Sequence, residues 1–295
     1  MKKVTAPKKL TPSPAIRLLL LLLVVSAAIS GCTHHPDETD LSKEIADFHF
    51  IDVGQGDSTL IISPGGTMLI DTGGQSAVSE LKDYLTGLKV ERIDYLVLTH
   101  PHEDHIGNAS MVIENFTVEN VLLPNAVATT RAYENMLTAI ENSDACVIEA
   151  ISGEEYTLGD LAFKVLAPNS MSYEDLNNYS VVLRITYGDT SFLMTGDAEE
   201  MSEAEILARY DKGELTCDVL KVGHHGSDTS TSSPFLSAVS PAVAIISCGK
   251  NNSYGHPHIR TLRILEDIGC TILRTDDIGS ILLRTDKREI RLISD

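Results

Sequence analysis

Two periods run through the apolar positions of this chain. In "FHFIDVG" (Phe48–Gly54), "STLIIS" (Ser58–Ser63) and "TMLIDTGG" (Thr67–Gly74), short β-branched and aromatic runs flank a "PGG" turn, the mark of strands joined by tight connections. Val78, Leu81, Leu85 and Leu88 then fall at helical spacing. "IDYLVLTH" (Ile93–His100) reads as a buried strand that runs straight into a histidine-rich loop. A short helix near Asn108–Asn115, the strand "VENVLLP", a helix over Thr130–Asn142 and the strand "CVIEAI" complete the first half.

The second half repeats this arrangement loosely. "LAFKVLAP", "SVVLRITYG" and "TSFLMTGD" predict antiparallel strands, with "YGDT" as the tight turn between the last two. A helix is expected over Glu199–Tyr210, and "CDVLKVGHHGS" is a strand entering another histidine-rich loop. A short helix near Pro234–Val239, the strand "AVAIISCG", a helix over Ile259–Ile268 and closing strands from Thr271 to Ile293 follow. Strands that alternate with helices yet include hairpins imply an α/β (α+β) fold with mixed sheets covered by helices. Two such halves can stack sheet against sheet, which brings polar strand ends together at one edge.

The first 46 residues do not follow this pattern. Lys2, Lys3, Lys8, Lys9 and Arg17 precede the apolar run Leu18–Ile29, which is shorter than the ~20 residues of a membrane span and within the ~7–15 of a signal-peptide core. The run ends in "ISGC", a small-residue site directly before Cys32 that resembles a bacterial lipobox. Residues 1–31 are therefore expected to be a lipoprotein signal peptide and Cys32 the lipidated N-terminus. Residues 32–46 would form a polar tether, and 47–295 one domain held outside the cell membrane. Loss of residues 1–31 removes five basic and no acidic residues, leaving 18 basic against 42 acidic, a formal charge of −24. Such a surface repels polyanions at long range, so tight non-specific DNA binding is not expected, although a local metal site can override that field at close range. The other four cysteines, Cys146, Cys217, Cys248 and Cys270, form no CxxC pair and border apolar runs, so buried free thiols and no structural bridge are expected.

The candidate chemistry lies at the strand ends. "THPHEDHIG" (Thr99–Gly107) packs His100, His102 and His105 beside Glu103 and Asp104. On an extended loop His100 and His102 can face one point, and Asp104 and His105 a second point nearby. "FLMTGDAE" brings Asp197, "VLKVGHHGS" brings His224 and His225, and "LIDTGG" brings Asp71 to other strand ends. Mixed nitrogen and oxygen donors without cysteine suit zinc, manganese or iron. "GQGDS" (Gly54–Ser58) lacks the lysine of a phosphate-binding loop and reads as a turn that places Gln55 or Asp57 near the site. His256 in "YGHPH" follows a strand end, where it could contact substrate or merely shape a turn. Ser58, Ser180 and Ser227 carry no nucleophile motif.

"HPHEDH" matches the HxHxDH signature of metallo-β-lactamase fold hydrolases, and "TGDAE" and "LIDTGG" resemble two further motifs of that family. "FIDVGQGDS", "NNYSVVLRI", "LKVGHHGS" and "YGHP", in this order, resemble the extracytoplasmic hydrolase domain of the ComEC family of competence proteins. The resemblance implies a four-layer αββα sandwich that binds two divalent ions, zinc or manganese. By that resemblance His100 and His102 would hold one ion, Asp104 and His105 the other, and Asp197 would bridge them. His225 is the better candidate for a further ligand, and His224, pointing elsewhere from an extended strand, would contact substrate or share proton transfer. Asp71 would orient the metal loop by hydrogen bonds. Where many relatives carry another histidine this chain reads "LNNYSVV", so Asn178 or Asn177 would take that place as a weak ligand, leaving dinuclear occupancy open.

The implied reaction is hydrolysis of a phosphodiester by hydroxide generated from water at the metals, whose presence lowers the pKa of water from ~15.7 to about 7 in zinc sites. Its substrate would be DNA or, given the acidic surface, a smaller phosphoester such as a choline-decorated polymer, and the enzyme a membrane-anchored monomer. The alternatives are a non-catalytic metal- or solute-binding lipoprotein and a hydrolase of lactone or β-lactam carbonyls.

Overall fold

A computed structural model describes residues 44–294. The expected signal peptide, Cys32 and all but the last three residues of the expected tether lie outside the described residues. The first sheet begins with β1 (Ala46–Phe50), β2 (Thr59–Ser63), β3 (Gly66–Ile70), β4 (Arg92–Val97), β5 (Thr117–Leu123) and β6 (Cys146–Glu149). The second sheet comprises β7 (Glu155–Leu158), β8 (Leu161–Ala167), β9 (Val182–Tyr187), β10 (Thr190–Met194), β11 (Val219–Lys221), β12 (Val243–Ile246) and β13 (Thr271–Arg274). The chain then returns to the first sheet with β14 (Ile281–Thr285) and β15 (Ile290–Ile293). The orders are β15-β14-β1-β2-β3-β4-β5-β6 and β13-β12-β11-β10-β9-β8-β7.

Helices α1 (Val78–Gly87), α2 (Glu103–Ile106), α3 (Ala109–Asn115) and α4 (Arg131–Glu141) lie in the first half. The second half adds α5 (Glu200–Arg209), α6 (Lys212–Leu215), α7 (Ser233–Val239), α8 (Ile259–Asp267) and α9 (Thr275–Ile278). Side-chain alternation along the strands separates three apolar layers. Ile61, Met68, Phe192 and Met194 face the space between the sheets, where Phe48 stacks on Phe192 with ring centroids 3.7 Å apart. Leu60 and Leu69 point the other way, onto Leu81 and Leu85 of α1 and Met136 of α4. Leu193 and Leu220 point outward onto Ile206 of α5, Phe235 of α7 and Leu265 of α8. Helix, sheet, sheet, helix is therefore the layer order, the αββα sandwich of a metallo-β-lactamase fold. Burying each such side chain contributes about 1.5–3 kcal/mol, so the three layers hold the strand ends at the site in place.

The first strand begins at Ala46, which pairs with Thr285. Several expectations need correction. The closing strands do not stay in the second sheet: β14 pairs with β1, and β15 with β14. Val78 and Leu88 end up exposed, because α1 turns Leu81 and Leu85, with Tyr84 beside them, toward the sheet. The thiols of Cys146, Cys217, Cys248 and Cys270 are free, but Cys146 on edge strand β6 is exposed rather than buried. Burial pushes the Cys248 thiol up to about 12 and the Cys270 thiol up to about 11. Among the described residues no helix is long and apolar enough to cross a membrane.

Candidate metal centre

The site forms where strands of both sheets end at the same edge. After β4 the chain bends at His100 and Pro101, and His102 leads into α2, so Asp104 and His105 sit on one helical turn rather than on an extended loop. That turn is pinned from below. The Asp57 N–H donates to the Asp104 carbonyl oxygen (3.1 Å), and the Thr72 N–H to the His105 carbonyl oxygen (2.6 Å). Gly56 must be glycine here, since a Cβ would collide with the Asp104 carbonyl oxygen.

Asp197, which follows β10, lies at the meeting point of the imidazoles. Its Oδ2 is 3.2 Å from His105 Nε2, 3.4 Å from His225 Nε2, and 3.9 Å from both His100 Nε2 and His224 Nε2. Asp104 Oδ2 reaches His225 Nε2 at 3.3 Å. His102 Nδ1 faces His100 Nε2 at 2.9 Å, so two lone pairs can converge on one cation. His100, His105, Asp197 and His225 are each at most 2% exposed.

The far sides of these rings are fixed. Asp71, buried just after β3, accepts from His105 Nδ1 (2.8 Å), from the Thr99 N–H (2.8 Å) and from Thr99 Oγ1 (2.7 Å). His225 Nδ1 donates to the Ser247 carbonyl oxygen (3.0 Å). These bonds engage Nδ1, so that on a neutral ring the Nε2 lone pair points inward. His105 Nε2, His225 Nε2 and Asp197 Oδ1 are then buried without a hydrogen-bond partner among the described residues. Orphaned buried donors and acceptors need an explanation, and a cation supplies one. His100, His105 and Asp197 could hold one ion, and Asp104, His105 and His225 could hold one too. The residues present therefore fit divalent metal.

The charges reinforce one another. Burial alone lowers His105 and His225, yet Asp197, with Asp71 for one and Asp57 for the other, raises both well above the usual imidazole range. Burial and the neighbouring His105 hold His100 well below it. Burial alone would raise Asp197, but His105 and His225 outweigh it and hold the carboxyl well below its usual range.

His224 and His225 do not continue an extended strand. Both take left-handed backbone angles (φ 49° and 53°), as Asp71 does (φ 58°), a conformation costly for non-glycine residues. The turn buries His225 among the acids and leaves His224 at the rim, where its Nδ1 meets Glu199 Oε1 (3.3 Å) and Thr229 Oγ1 (3.1 Å). Glu199 was not singled out in the sequence, although it follows Asp197 by two residues.

The remaining expected site residues lie elsewhere. Asn178 spends its amide oxygen on the Ser202 N–H of α5 (3.2 Å) and turns its Nδ2 toward Glu199. Asn177 donates to Glu199 as well (3.3 Å). The side chain of this segment that reaches the histidines is Ser180, whose Oγ lies 3.3 Å from His100 Nδ1 and accepts from the Asp197 N–H. Gln55 Oε1 accepts from the Gly249 N–H (3.1 Å), which ties two rim loops together. Asp57 is buried behind His225 and out of a substrate's reach. His256 is half-buried at the rim, its ring 5.5 Å from that of His224 and stacked under exposed Tyr254.

Residues 51–250 match the Metallo-beta-lactamase superfamily, and with the αββα layers and the cluster at the strand ends the chain belongs to it. Within that superfamily the chain is 35% identical to ComE operon protein 3 of Bacillus subtilis over 254 residues, covering 80% of this chain and 32% of that protein. It is 36% identical to Recombination protein 2 of Haemophilus influenzae over 232 residues, covering 76% and 27%. The chain thus spans about a third of the length of these competence-related, ComEC-like relatives. Among solved structures, the metallo-beta-lactamase fold protein YhfI of Bacillus subtilis superposes with a TM-score of 0.56 at 13% identity, covering 82% of this chain and 99% of that one.

Proposed function

We propose that this metal-dependent hydrolase cleaves phosphodiesters. The observation that carries the proposal is Asp197: one buried carboxylate oxygen within 3.9 Å of the imidazoles of His100, His105, His224 and His225. That arrangement suits two cations sharing a bridge, held by His100 and His102 on one side and by Asp104, His105 and His225 on the other. Divalent ions held there supply Lewis acidity and acidify a water, so no protein nucleophile is required. His224 is the proton-transfer group. Glu199 and Thr229 fix its Nδ1, and its Nε2 lies 3.9 Å from Asp197 Oδ2 at the rim of the centre. The likeness to competence proteins supports a phosphodiester over a lactam, and the formal charge of −19, or −24 if residues 1–31 are removed, favours a small phosphoester over duplex DNA.

The test is turnover of bis-p-nitrophenyl phosphate by chelated protein reloaded with manganese or zinc, run beside DNA, choline phosphoesters and a β-lactam. Metal-dependent release of nitrophenol with little lactam turnover is expected. Lactam hydrolysis without diester cleavage, or metal binding without any turnover, would overturn the reading. The same proposal holds the enzyme at the outer surface of the membrane through lipid on Cys32. Cys32→Ala should abolish labelling by a palmitate analogue in cells, and unchanged labelling would remove the anchor from the account.

A further inference from the structure

We propose that Lys221 and Asp57 are positioning residues, a built-in ion pair that sets the charge of the centre from behind His225 without either residue binding metal. Lys221 ends β11 and is 3% exposed, and Asp57, in the turn between β1 and β2, is 4% exposed. The Lys221 Nζ contacts Asp57 Oδ2 and also donates to the Val222 carbonyl oxygen (2.9 Å). A buried lysine inside a carboxylate-rich pocket is a structural commitment, because removing either partner leaves an uncompensated charge away from water.

The geometry says what the pair acts on. Asp57 Oδ1 lies 3.2 Å from His225 Nδ1, the ring nitrogen that faces away from Asp197 and Asp104. The hydrogen bond of that N–H goes to the Ser247 carbonyl oxygen, and Asp57 Oδ1 has no hydrogen-bond partner among the described residues. The carboxylate therefore works on the ring by charge. It favours the proton on Nδ1 and so keeps the Nε2 lone pair inward. Asp57 alone would add a buried negative charge to Asp71, Asp104 and Asp197, and the ammonium cancels that charge. A neutral pair keeps the strand ends together without competing with a divalent cation.

A rival role for Asp57 is direct ligation, since Asp57, Asp197 and His225 also offer converging atoms. The two roles predict opposite results in a double-mutant cycle on the full chain, read by manganese titration after chelation. This part rests on the metal-centre reading above. Asp57→Asn strands the ammonium beside the incoming cation, so manganese affinity should fall by about 10–100-fold, the usual effect of a residue behind a ligand, with the saturating number of ions unchanged. Lys221→Met leaves a negative charge and should not weaken manganese binding. The double variant Lys221→Met with Asp57→Asn is neutral and close in shape, and its affinity should recover most of that loss, falling short of the parent only by the lost pull of the carboxylate on His225. A double variant as weak as Asp57→Asn, or loss of an ion at saturation in Asp57→Asn, would make Asp57 a ligand and overturn the proposal. Melting of the chelated proteins judges the pair without metal: Lys221→Met should melt well below the parent and the double variant should recover. An unchanged melting temperature for Lys221→Met would also overturn it. Should the parent bind no manganese, the hydrolase reading fails while the melting comparison still decides the pair.

Discussion

His225 and His102 belong to one cluster, yet their surroundings differ. His225 is buried, its Nδ1 hydrogen-bonded to the Ser247 carbonyl oxygen with Asp57 and Lys221 behind it. Its neighbour His105 is held in the same way by Asp71. His102 is half-buried, and its Nδ1 faces His100 Nε2. On that side the segment expected to supply another ligand gives Ser180 to His100 Nδ1, while Asn178 turns its amide oxygen to α5. Ligands alone do not make a tight site; the groups that fix their far nitrogens do. On the proposed reading, the comparison predicts that the Asp104–His105–His225 side would bind its ion first and the His100–His102 side more weakly.

The largest effect tests what the two sides share. Asp197→Ala removes the oxygen common to both, so metal content measured by mass spectrometry should collapse and diester turnover should fall to background. Retention of two ions with parental turnover would show that Asp197 bridges nothing. Next, His225→Ala should eliminate the tight phase of manganese binding, whereas His102→Ala should eliminate only the weak one. An exchange of those two outcomes would reverse the comparison. His224→Ala should leave metal content intact and reduce kcat by about 10²–10⁴, the range for a positioned proton-transfer group; loss of metal instead would move His224 into the ligand set. Smallest, Asp71→Asn keeps an acceptor but loses charge beside His105, and should weaken the tight phase by about 10–100-fold while sparing the weak one. Calorimetric titration of that variant reads both phases at once.

Much of this was legible in the sequence because it is local. Apolar runs located the strands, as in "STLIIS", helical spacing found α1, and the segments of α4, α5 and α8 were expected as helices. His100, His102, Asp104, His105 and Asp197 stand at strand ends that periodicity alone locates. What was hidden depends on chain-distant pairing or on backbone conformation. The return of β14 to β1 joins residues such as Ala46 and Thr285, and no local pattern announces it. The four-residue α2 is too short to show a helical period. The left-handed turn at His224 and His225 overrides the strand geometry from which opposite directions were expected, although His225 still comes to the acids. Lys221 and Asp57 meet only when both sheets are stacked, and each looks ordinary within its own motif.

The central claim is a dinuclear centre with one well-braced and one poorly braced side, and manganese titration into the chelated protein tests it most directly. Bound metal and bis-p-nitrophenyl phosphate turnover would be recorded at each step. The account predicts two separated binding phases, with turnover rising mainly as the second, weaker phase fills. A single phase ending at one ion with full turnover, or two ions binding with equal affinity, would contradict it.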